Sequence, residues 1–106
     1  MAGVKELFER MPESFCREAA SGLDVVILFD LSGEGGGQWQ AAIKDGELRV
    51  SEGTHEAPNL TIRATAEDYY AIGTGALNET LAFMTGRITA RGDTRLAMKL
   101  PKIFKR

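Results

Sequence analysis

The chain has 106 residues, of which 43% are hydrophobic and 26% are charged, and it contains one cysteine and one histidine. This size and composition are those of one small globular domain, so we expect residues 1–106 to fold as a single unit. No apolar run approaches the roughly 20 residues that a membrane-spanning helix needs, and one cysteine excludes an internal disulfide framework. The first residues lack the apolar core of a signal peptide, so the cytoplasm is the expected compartment.

Charge is distributed unevenly along the chain. The formal net charge is −2, but residues 87–106 hold seven of the 13 Lys and Arg residues and one acid, Asp93. A basic C-terminal segment on an acidic body is a candidate contact for an anionic lipid surface or a phosphate. A solvated helix face that keeps the chain in solution is the simpler interpretation.

The N-terminal region is predicted to be helical. Its apolar residues recur at helical spacing: Val4, Leu7, Phe8 and Met11. Pro12 should end this helix, because proline disfavours a helical conformation in the residue before it. Pro12 can itself begin a second, turn-rich helix over residues 13–20 that ends near Gly22.

Strands should follow. Residues 23–32 contain a run, 25–29, that is apolar on both faces, which predicts a central strand. Residues 38–44 alternate between apolar and polar, and the Asp45-Gly46 pair favours a two-residue hairpin into a third strand. A fourth strand is predicted at residues 60–65, where Leu60, Ile62 and Ala64 should face inward.

The C-terminal third is predicted to alternate between helices and a strand. Thr65 begins one helix, and Asn78 caps a second, short one. Residues 88–91 alternate as a half-buried strand. Gly92 permits a sharp change of backbone direction, and Asp93 can cap the last helix by accepting from backbone N–H groups.

The last helix carries two stripes of side chains. The apolar stripe consists of Leu96, Leu100, Ile103 and Phe104. The neighbouring basic stripe consists of Arg95, Lys99, Lys102 and Arg106. Pro101 lacks an N–H group and should open the helix about one turn after residues 96–97, so that the segment after it could swing as a lid.

These elements predict an α+β fold. Four of the five predicted strands are polar on one face, so the five-stranded sheet should carry its helices mainly on the other face. The result is a two-layer sandwich, and any cavity must lie between its layers. The order of the strands does not follow from the sequence.

Residues suited to catalysis or metal binding are sparse. His55 is expected in a polar surface loop, and Cys16 is expected to be a half-buried packing residue. One histidine and one cysteine cannot form a thiolate or imidazole metal cluster. The glycine-rich residues 33–37 lack the Gly-Lys-Ser/Thr of a phosphate loop and are expected to join two strands. We therefore expect no catalytic residues, no metal and no cofactor.

The most informative run is Gly-Arg-Ile-Thr-Ala-Arg-Gly-Asp at residues 86–93, followed by a leucine-containing helix. It resembles the Gly-Lys/Arg-hydrophobic-x-hydrophobic-x-Gly-Asp run of the sterol carrier protein-2 (SCP-2) family. Further segments earlier in the chain also resemble the family and occur in the family's order, so that the resemblance covers nearly the whole chain. They are residues 31–39, 43–46, 57–62, 66–69, 75–78 and 82–86. The chain is thereby identified as a stand-alone, single-domain member, which implies the SCP-2 fold. It departs from the family pattern at Asn59, Glu79 and Pro101.

The resemblance implies a non-enzymatic carrier that encloses a sterol, a fatty acid or a fatty acyl-CoA in an apolar tunnel between sheet and helices. The ligand-binding residues would be the apolar side chains of the covering helices, which are Phe8, Met11, Phe15, Phe83, Met84, Met98, Leu100, Ile103 and Phe104. The basic stripe would contact an anionic membrane or an acyl-CoA phosphate. No nucleic-acid partner is expected.

A second class of function stays open. Methionine and phenylalanine at helical spacing usually form a plain core. The alternative is therefore an accessory or interaction domain with a filled core that partners a lipid-metabolising enzyme. Lipid that co-purifies with the protein would separate the two functions.

Overall fold

The computed structural model describes residues 3–104, which form four helices and five strands. In chain order these are α1 (Val4–Ser14), β1 (Asp24–Ser32), β2 (Gly37–Lys44), β3 (Glu47–Glu52), β4 (Leu60–Thr65), α2 (Ala66–Thr74), α3 (Glu79–Met84), β5 (Thr89–Gly92) and α4 (Thr94–Ile103). The predicted α+β class is confirmed, and so is the predicted succession of strands and helices along the chain from β1 to α4. No helix in the described part of the chain is long and apolar enough to cross a membrane.

The strands form one mixed sheet in the order β3-β2-β1-β4-β5. β1 pairs antiparallel with β2 and parallel with β4, and β4 pairs antiparallel with β5. The central position predicted for the apolar run at 25–29 is confirmed. Ile27 lies opposite Leu60 and Phe29 lies opposite Ile62, and all four are buried. A one-residue slip would turn these side chains to the other face, so burial fixes the register.

The hairpin between β2 and β3 has the predicted two-residue turn. Asp45 has φ of 54° and Gly46 has φ of 75°, the left-handed values that a tight hairpin turn requires at both positions. Along β2, Trp39, Ala41 and Ile43 are buried at every second position, as the alternation predicted.

An aromatic cluster lies between α1 and the sheet. The Phe8 ring stacks on Trp39 at 4.7 Å and on Tyr69 at 5.2 Å, and its edge meets Phe29 at 5.2 Å. We call Phe8, Phe29, Trp39 and Tyr69 the aromatic cluster. Large rings in offset or edge contact bury much apolar area, so this part of the interlayer space is filled.

The predictions made for Pro12 are wrong. α1 runs through Pro12 to Ser14, and the Phe15 N–H group donates to the Pro12 carbonyl at 3.3 Å. Residues 17–22 form turns instead of a second helix. Because Pro12 lies in the last turn of α1, its missing N–H costs the helix a single hydrogen bond close to an end that frays in any case.

The predicted opening of the last helix at Pro101 is also wrong. α4 continues through Pro101 to Ile103, and the Phe104 N–H group donates to the Leu100 carbonyl at 2.9 Å. The end of α4 is tied to the segment after α1, since the Cys16 N–H group donates to the Ile103 carbonyl at 2.6 Å. This bond, together with the burial of Ile103, anchors the segment that was expected to swing.

Candidate functional site

A cavity of about 750 Å³ lies between the sheet and the helices. Its floor is formed by Phe29 of β1, Ile62 of β4 and Ala90 of β5. Ile88, the residue immediately before β5, also belongs to the floor. All four helices contribute to its walls. The volume falls within the roughly 300–1,000 Å³ that small-molecule sites occupy.

The buried lining of the cavity is apolar, whereas its exposed lining includes polar side chains. Its buried lining residues are Met11, Phe29, Ile62 and Ile72, all of them apolar. Its polar lining residues are exposed or, for Ser14, half-buried, and they are Arg10, Glu13, Ser14, Glu79, Thr80 and Thr94. A site of this kind suits a ligand with an apolar body and a polar end that stays near water.

Two charged groups at the mouth of the cavity form a local ion pair. Arg10 Nε lies 3.4 Å from Glu13 Oε2, and the two side chains are 68% and 69% exposed. An ion pair this exposed contributes little to stability because water screens it. The Ser14 hydroxyl is also engaged locally, since it donates to the Met11 carbonyl at 3.1 Å.

The cavity lacks a histidine or cysteine among the lining residues described. His55 lies in the loop after β3, where its Nδ1 accepts from the Ala57 N–H group at 3.1 Å. Cys16 is half-buried, as predicted, and lies outside the lining. Residues 3–104 contain no group of three or more His, Cys, Asp or Glu side chains that could hold a metal ion.

Local sequence signals fix where the wall formed by α4 begins. The Asp93 carboxylate accepts from the Arg95 and Leu96 N–H groups at 3.0 and 3.2 Å, which confirms the predicted cap. Gly92 has φ of 113°, and a Cβ there would collide with the Asn59 carbonyl oxygen. Only glycine fits this junction, so the chain turns sharply from β5 into α4.

A second glycine allows a close side-chain contact between two other walls. A Cβ at Gly73 on α2 would lie 2.6 Å from a methyl carbon of Leu7 on α1. This methyl carbon is the far end of a flexible side chain, so a Cβ at position 73 would displace it, and the absent side chain lets Leu7 pack directly on α2. Leu7 and Gly73 both line the cavity beside this contact.

Apolar side chains surround the mouth of the cavity. Phe83 on α3 is 54% exposed, Met84 on α3 is 76% exposed and Met98 on α4 is 80% exposed, and all three line the cavity. We call these three residues the apolar rim. The predicted Asn78 cap is confirmed, because its side chain accepts from the Thr80 and Leu81 N–H groups and so fixes the start of α3. Clustered, exposed apolar residues commonly mark a binding surface.

The structure brings six of the nine expected ligand-binding residues to the cavity lining, which are Met11, Phe83, Met84, Met98, Leu100 and Phe104. Phe8 and Ile103 are 0% exposed and lie in the core instead. Phe15 is half-buried, with its ring 5.9 Å from that of Phe104. The Phe8 ring is covered by Phe29 and Tyr69, which line the cavity themselves, so Phe8 lies behind the lining.

Sequence reasoning missed several lining residues. Tyr69, Ile72 and Gly73 come from α2, and Ala97 comes from α4. Ala90 was identified as an inward strand position, but its place in the cavity depends on β5 lying beside β4. The available signal was the small size of Gly73, Ala90 and Ala97, since small side chains on inward faces leave room between layers.

The basic stripe lies on the outer side of α4. Arg95, Lys99 and Lys102 are exposed, and Arg106 lies outside the described residues. Arg95 precedes Met98 by three positions and Lys102 follows it by four, so both cations neighbour this rim residue on the helix surface. The stripe therefore borders the mouth of the cavity.

Comparison with known proteins gives a consistent assignment. Residues 4–105 match the SCP-2 sterol transfer family. Hydroxysteroid dehydrogenase-like protein 2 of Pongo abelii is 32% identical over 103 residues, which make up 95% of this chain and 24% of that protein. The chain thus spans about a quarter of the length of this relative.

Two solved structures are similar over most of the chain. Palmitated SCP2L2 from Aedes aegypti is 25% identical with a TM-score of 0.77, covering 99% of this chain and 96% of that one. Sterol carrier protein domain 2 of Helicoverpa armigera is 29% identical with a TM-score of 0.70, covering 92% of this chain and 79% of that one. Since the family match spans nearly all of its residues, the chain belongs to the SCP-2 sterol transfer family.

Proposed function

We propose that this protein is a non-enzymatic lipid carrier that holds a fatty acid, a fatty acyl-CoA or a sterol in the cavity between sheet and helices. The observation that carries the proposal is a cavity of about 750 Å³ whose buried lining is apolar and whose mouth carries polar side chains beside the apolar rim. SCP2L2 from Aedes aegypti, a relative with the same fold, is palmitated. A fatty acyl chain is therefore the first ligand to test.

Burial of the acyl chain would supply the driving force. Each methylene removed from water contributes about 0.8 kcal/mol, so roughly ten buried methylenes would contribute about 8 kcal/mol. A binding free energy of about 8 kcal/mol corresponds to a dissociation constant of about 1 μM. The cost of ordering the acyl chain has to be subtracted from this value. Apolar contact alone can therefore give useful affinity, and the polar side chains at the mouth can leave the head group in water.

The alternative function is an accessory domain that partners a lipid-metabolising enzyme. One observation favours testing it: this chain matches only about a quarter of the length of hydroxysteroid dehydrogenase-like protein 2. That alternative assumes a filled core, whereas the described residues leave about 750 Å³ between the layers. Measuring ligand binding directly decides between the two functions.

The binding experiment substitutes one residue on each face of β5. Ala90→Phe places a ring in the cavity, and Thr89→Phe places the same ring on the opposite, exposed face as a matched control. Native mass spectrometry is used to look for co-purified lipid, and palmitate displacement of a fluorescent fatty acid gives affinities. We expect Ala90→Phe to bind at least about tenfold more weakly than the parent, a loss of about 1.4 kcal/mol, and Thr89→Phe to bind as the parent does.

Urea unfolding of both variants is used to check that they fold. Equal affinities of the parent and a folded Ala90→Phe variant would place the ligand elsewhere. A parent without co-purified lipid and without fatty-acid affinity would favour the accessory domain. Met84 also lines the cavity but is less suitable for filling it, because it is 76% exposed and a larger side chain there would extend into water.

We further propose that the mouth of the cavity contacts an anionic bilayer. Arg95, Lys99 and Lys102 are exposed beside the apolar rim, so cations and insertable side chains lie together. Each basic side chain near an anionic membrane contributes about 1 kcal/mol, and salt weakens this attraction. Docking by this surface would place the mouth next to the lipid that is taken up or released.

Vesicle co-sedimentation tests the contact. The parent should bind anionic vesicles at low salt and be released at high salt, while Lys99→Glu with Lys102→Glu should not bind. The matched control is Lys44→Glu with Arg49→Glu, which reverses two exposed charges on the β2–β3 hairpin and should bind as the parent does. Equal binding by both charge-reversed proteins, or no binding by the parent, would show that the stripe has no docking role.

A further inference from the structure

The mouth of the cavity carries two unusually accessible methionines. Met84 is 76% exposed on α3 and Met98 is 80% exposed on α4, and both line the cavity. They are the most exposed of the large apolar side chains in residues 3–104. Met11 on α1 lines the same cavity and is 9% exposed. One site therefore contains two thioethers open to solvent and one protected from it.

Exposure controls the oxidation chemistry of a thioether. A sulfur lone pair attacks one oxygen of a peroxide, the O–O bond breaks, the oxygen stays on sulfur as a sulfoxide and the other oxygen leaves as water or an alcohol. Sulfur loses two electrons and the peroxide gains them. Methionine sulfoxide reductases reverse the change, with one enzyme for each sulfoxide epimer.

We propose that Met84 and Met98 form a peroxide-sensitive modification site, and that their oxidation weakens acyl-chain binding in the cavity. The inference rests on the proposed carrier function. Methionine is flexible and apolar, which suits a rim that closes around chains of different shape. A sulfoxide at the same position is polar. Contact with an acyl chain would remove the sulfoxide oxygen from water without giving it another hydrogen-bond donor, which is unfavourable.

The positions of the two residues make this effect specific to the mouth. Met84 and Met98 come from different helices, so oxidation alters the rim from two sides. Phe83, the third rim residue, has no sulfur and stays apolar. The buried lining, including Met11, should remain apolar under mild oxidation because peroxide reaches it poorly. We therefore expect the oxidised protein to keep its fold and lose affinity.

The experiment treats the protein with dilute hydrogen peroxide and follows each methionine by peptide mass mapping. Met84 and Met98 should gain oxygen well before Met11. In the same samples, affinity for a fluorescent fatty acid should fall by roughly threefold to tenfold, because the rim loses about 1 kcal/mol of apolar contact. Treatment with both classes of methionine sulfoxide reductase should restore the affinity of the untreated protein.

A double variant, Met84→Leu with Met98→Leu, provides the decisive control. The measured quantity is the ratio of affinities after and before treatment in each protein, so any change in the starting affinity cancels. The parent should lose affinity, whereas the double variant, which retains Met11 and Cys16, should not. A Met11→Leu variant should lose affinity by the same ratio as the parent.

Three results would overturn the inference. These are oxidation of both rim methionines without loss of affinity, oxidation of Met11 as fast as the rim, or an equal loss in the double variant. An untreated parent that fails to bind the fatty acid would overturn the carrier function itself, and this inference with it. An untreated parent that binds, and binds equally after oxidation, overturns the inference alone.

Discussion

The space between sheet and helices has two regions that differ in packing. Over β1 and β2, the Phe8 ring of α1 stacks on Trp39 and Tyr69 and leaves no comparable gap. Over β4 and β5, the same helix helps to enclose a cavity of about 750 Å³. We call these the filled region and the open region. Both lie on the same face of one sheet, and α1 contributes side chains to each.

The difference between the regions comes from side-chain volume rather than polarity. The filled region brings four aromatic rings together, of which Phe29 and Tyr69 also line the cavity at the boundary between the regions. The rest of the lining of the open region includes the small residues Gly73, Ala90 and Ala97. Protein interiors pack at a density that leaves few voids larger than water, so a large cavity needs small side chains and helices held apart by other contacts. Apolar periodicity describes both regions equally well and does not distinguish them.

The largest expected effect distinguishes the regions by stability. Phe8→Ala removes a fully buried ring and should lower the free energy of unfolding by about 3–5 kcal/mol. Phe83→Ala removes a ring that is 54% exposed at the cavity mouth, and it should cost less than about 1 kcal/mol. Urea unfolding measures both values. Similar losses in the two variants would mean that the open region is packed as tightly as the filled one.

The next effect concerns the junction that positions the wall of the open region. Gly92→Ala combines a left-handed backbone with a collision against the Asn59 carbonyl, and it should destabilise the fold by about 2–3 kcal/mol. Gly35→Ala is the control, because Gly35 has φ of 77° but open space around its missing Cβ. Backbone strain alone should make the control lose about 1 kcal/mol. Equal midpoints for the two variants in urea unfolding would remove the close approach from the explanation.

The smallest effect tests whether the open region can loosen by itself. Asp93→Ala removes the cap of α4 and should lower the free energy of unfolding by about 1 kcal/mol, while Asp93→Asn keeps an accepting oxygen and should lose less. Amide hydrogen exchange should accelerate in α4 and stay slow in β1 and β2. Faster exchange in all three elements would show that the two regions unfold as one unit.

Local patterns in the sequence were sufficient for the individual elements. The Asp45-Gly46 turn, the caps at Asn78 and Asp93 and the alternation along β2 all appear in the structure as predicted. Each depends on interactions within a few residues, either a backbone angle, a side chain bonded to a nearby N–H group or a period of two. The error at Pro12 arose because this proline lies in the last turn of α1, where its missing N–H costs only one hydrogen bond. At Pro101, the hydrogen bond from the Cys16 N–H group to the Ile103 carbonyl holds the end of α4 in place.

The tertiary structure decided which apolar residues form a site. Phe8 and Ile103 satisfy the same helical periodicity as Met11 and Leu100, yet the first two lie in the core and the second two line the cavity. That division depends on the parallel pairing of β1 with β4 and on the positions of α3 and α4, whose side chains line the cavity. A sequence period states which side of a helix is apolar, and it contains no information on what lies opposite. The fold class and its elements therefore followed from local physics, whereas the cavity, its mouth and its accessible methionines emerged only from contacts between distant residues.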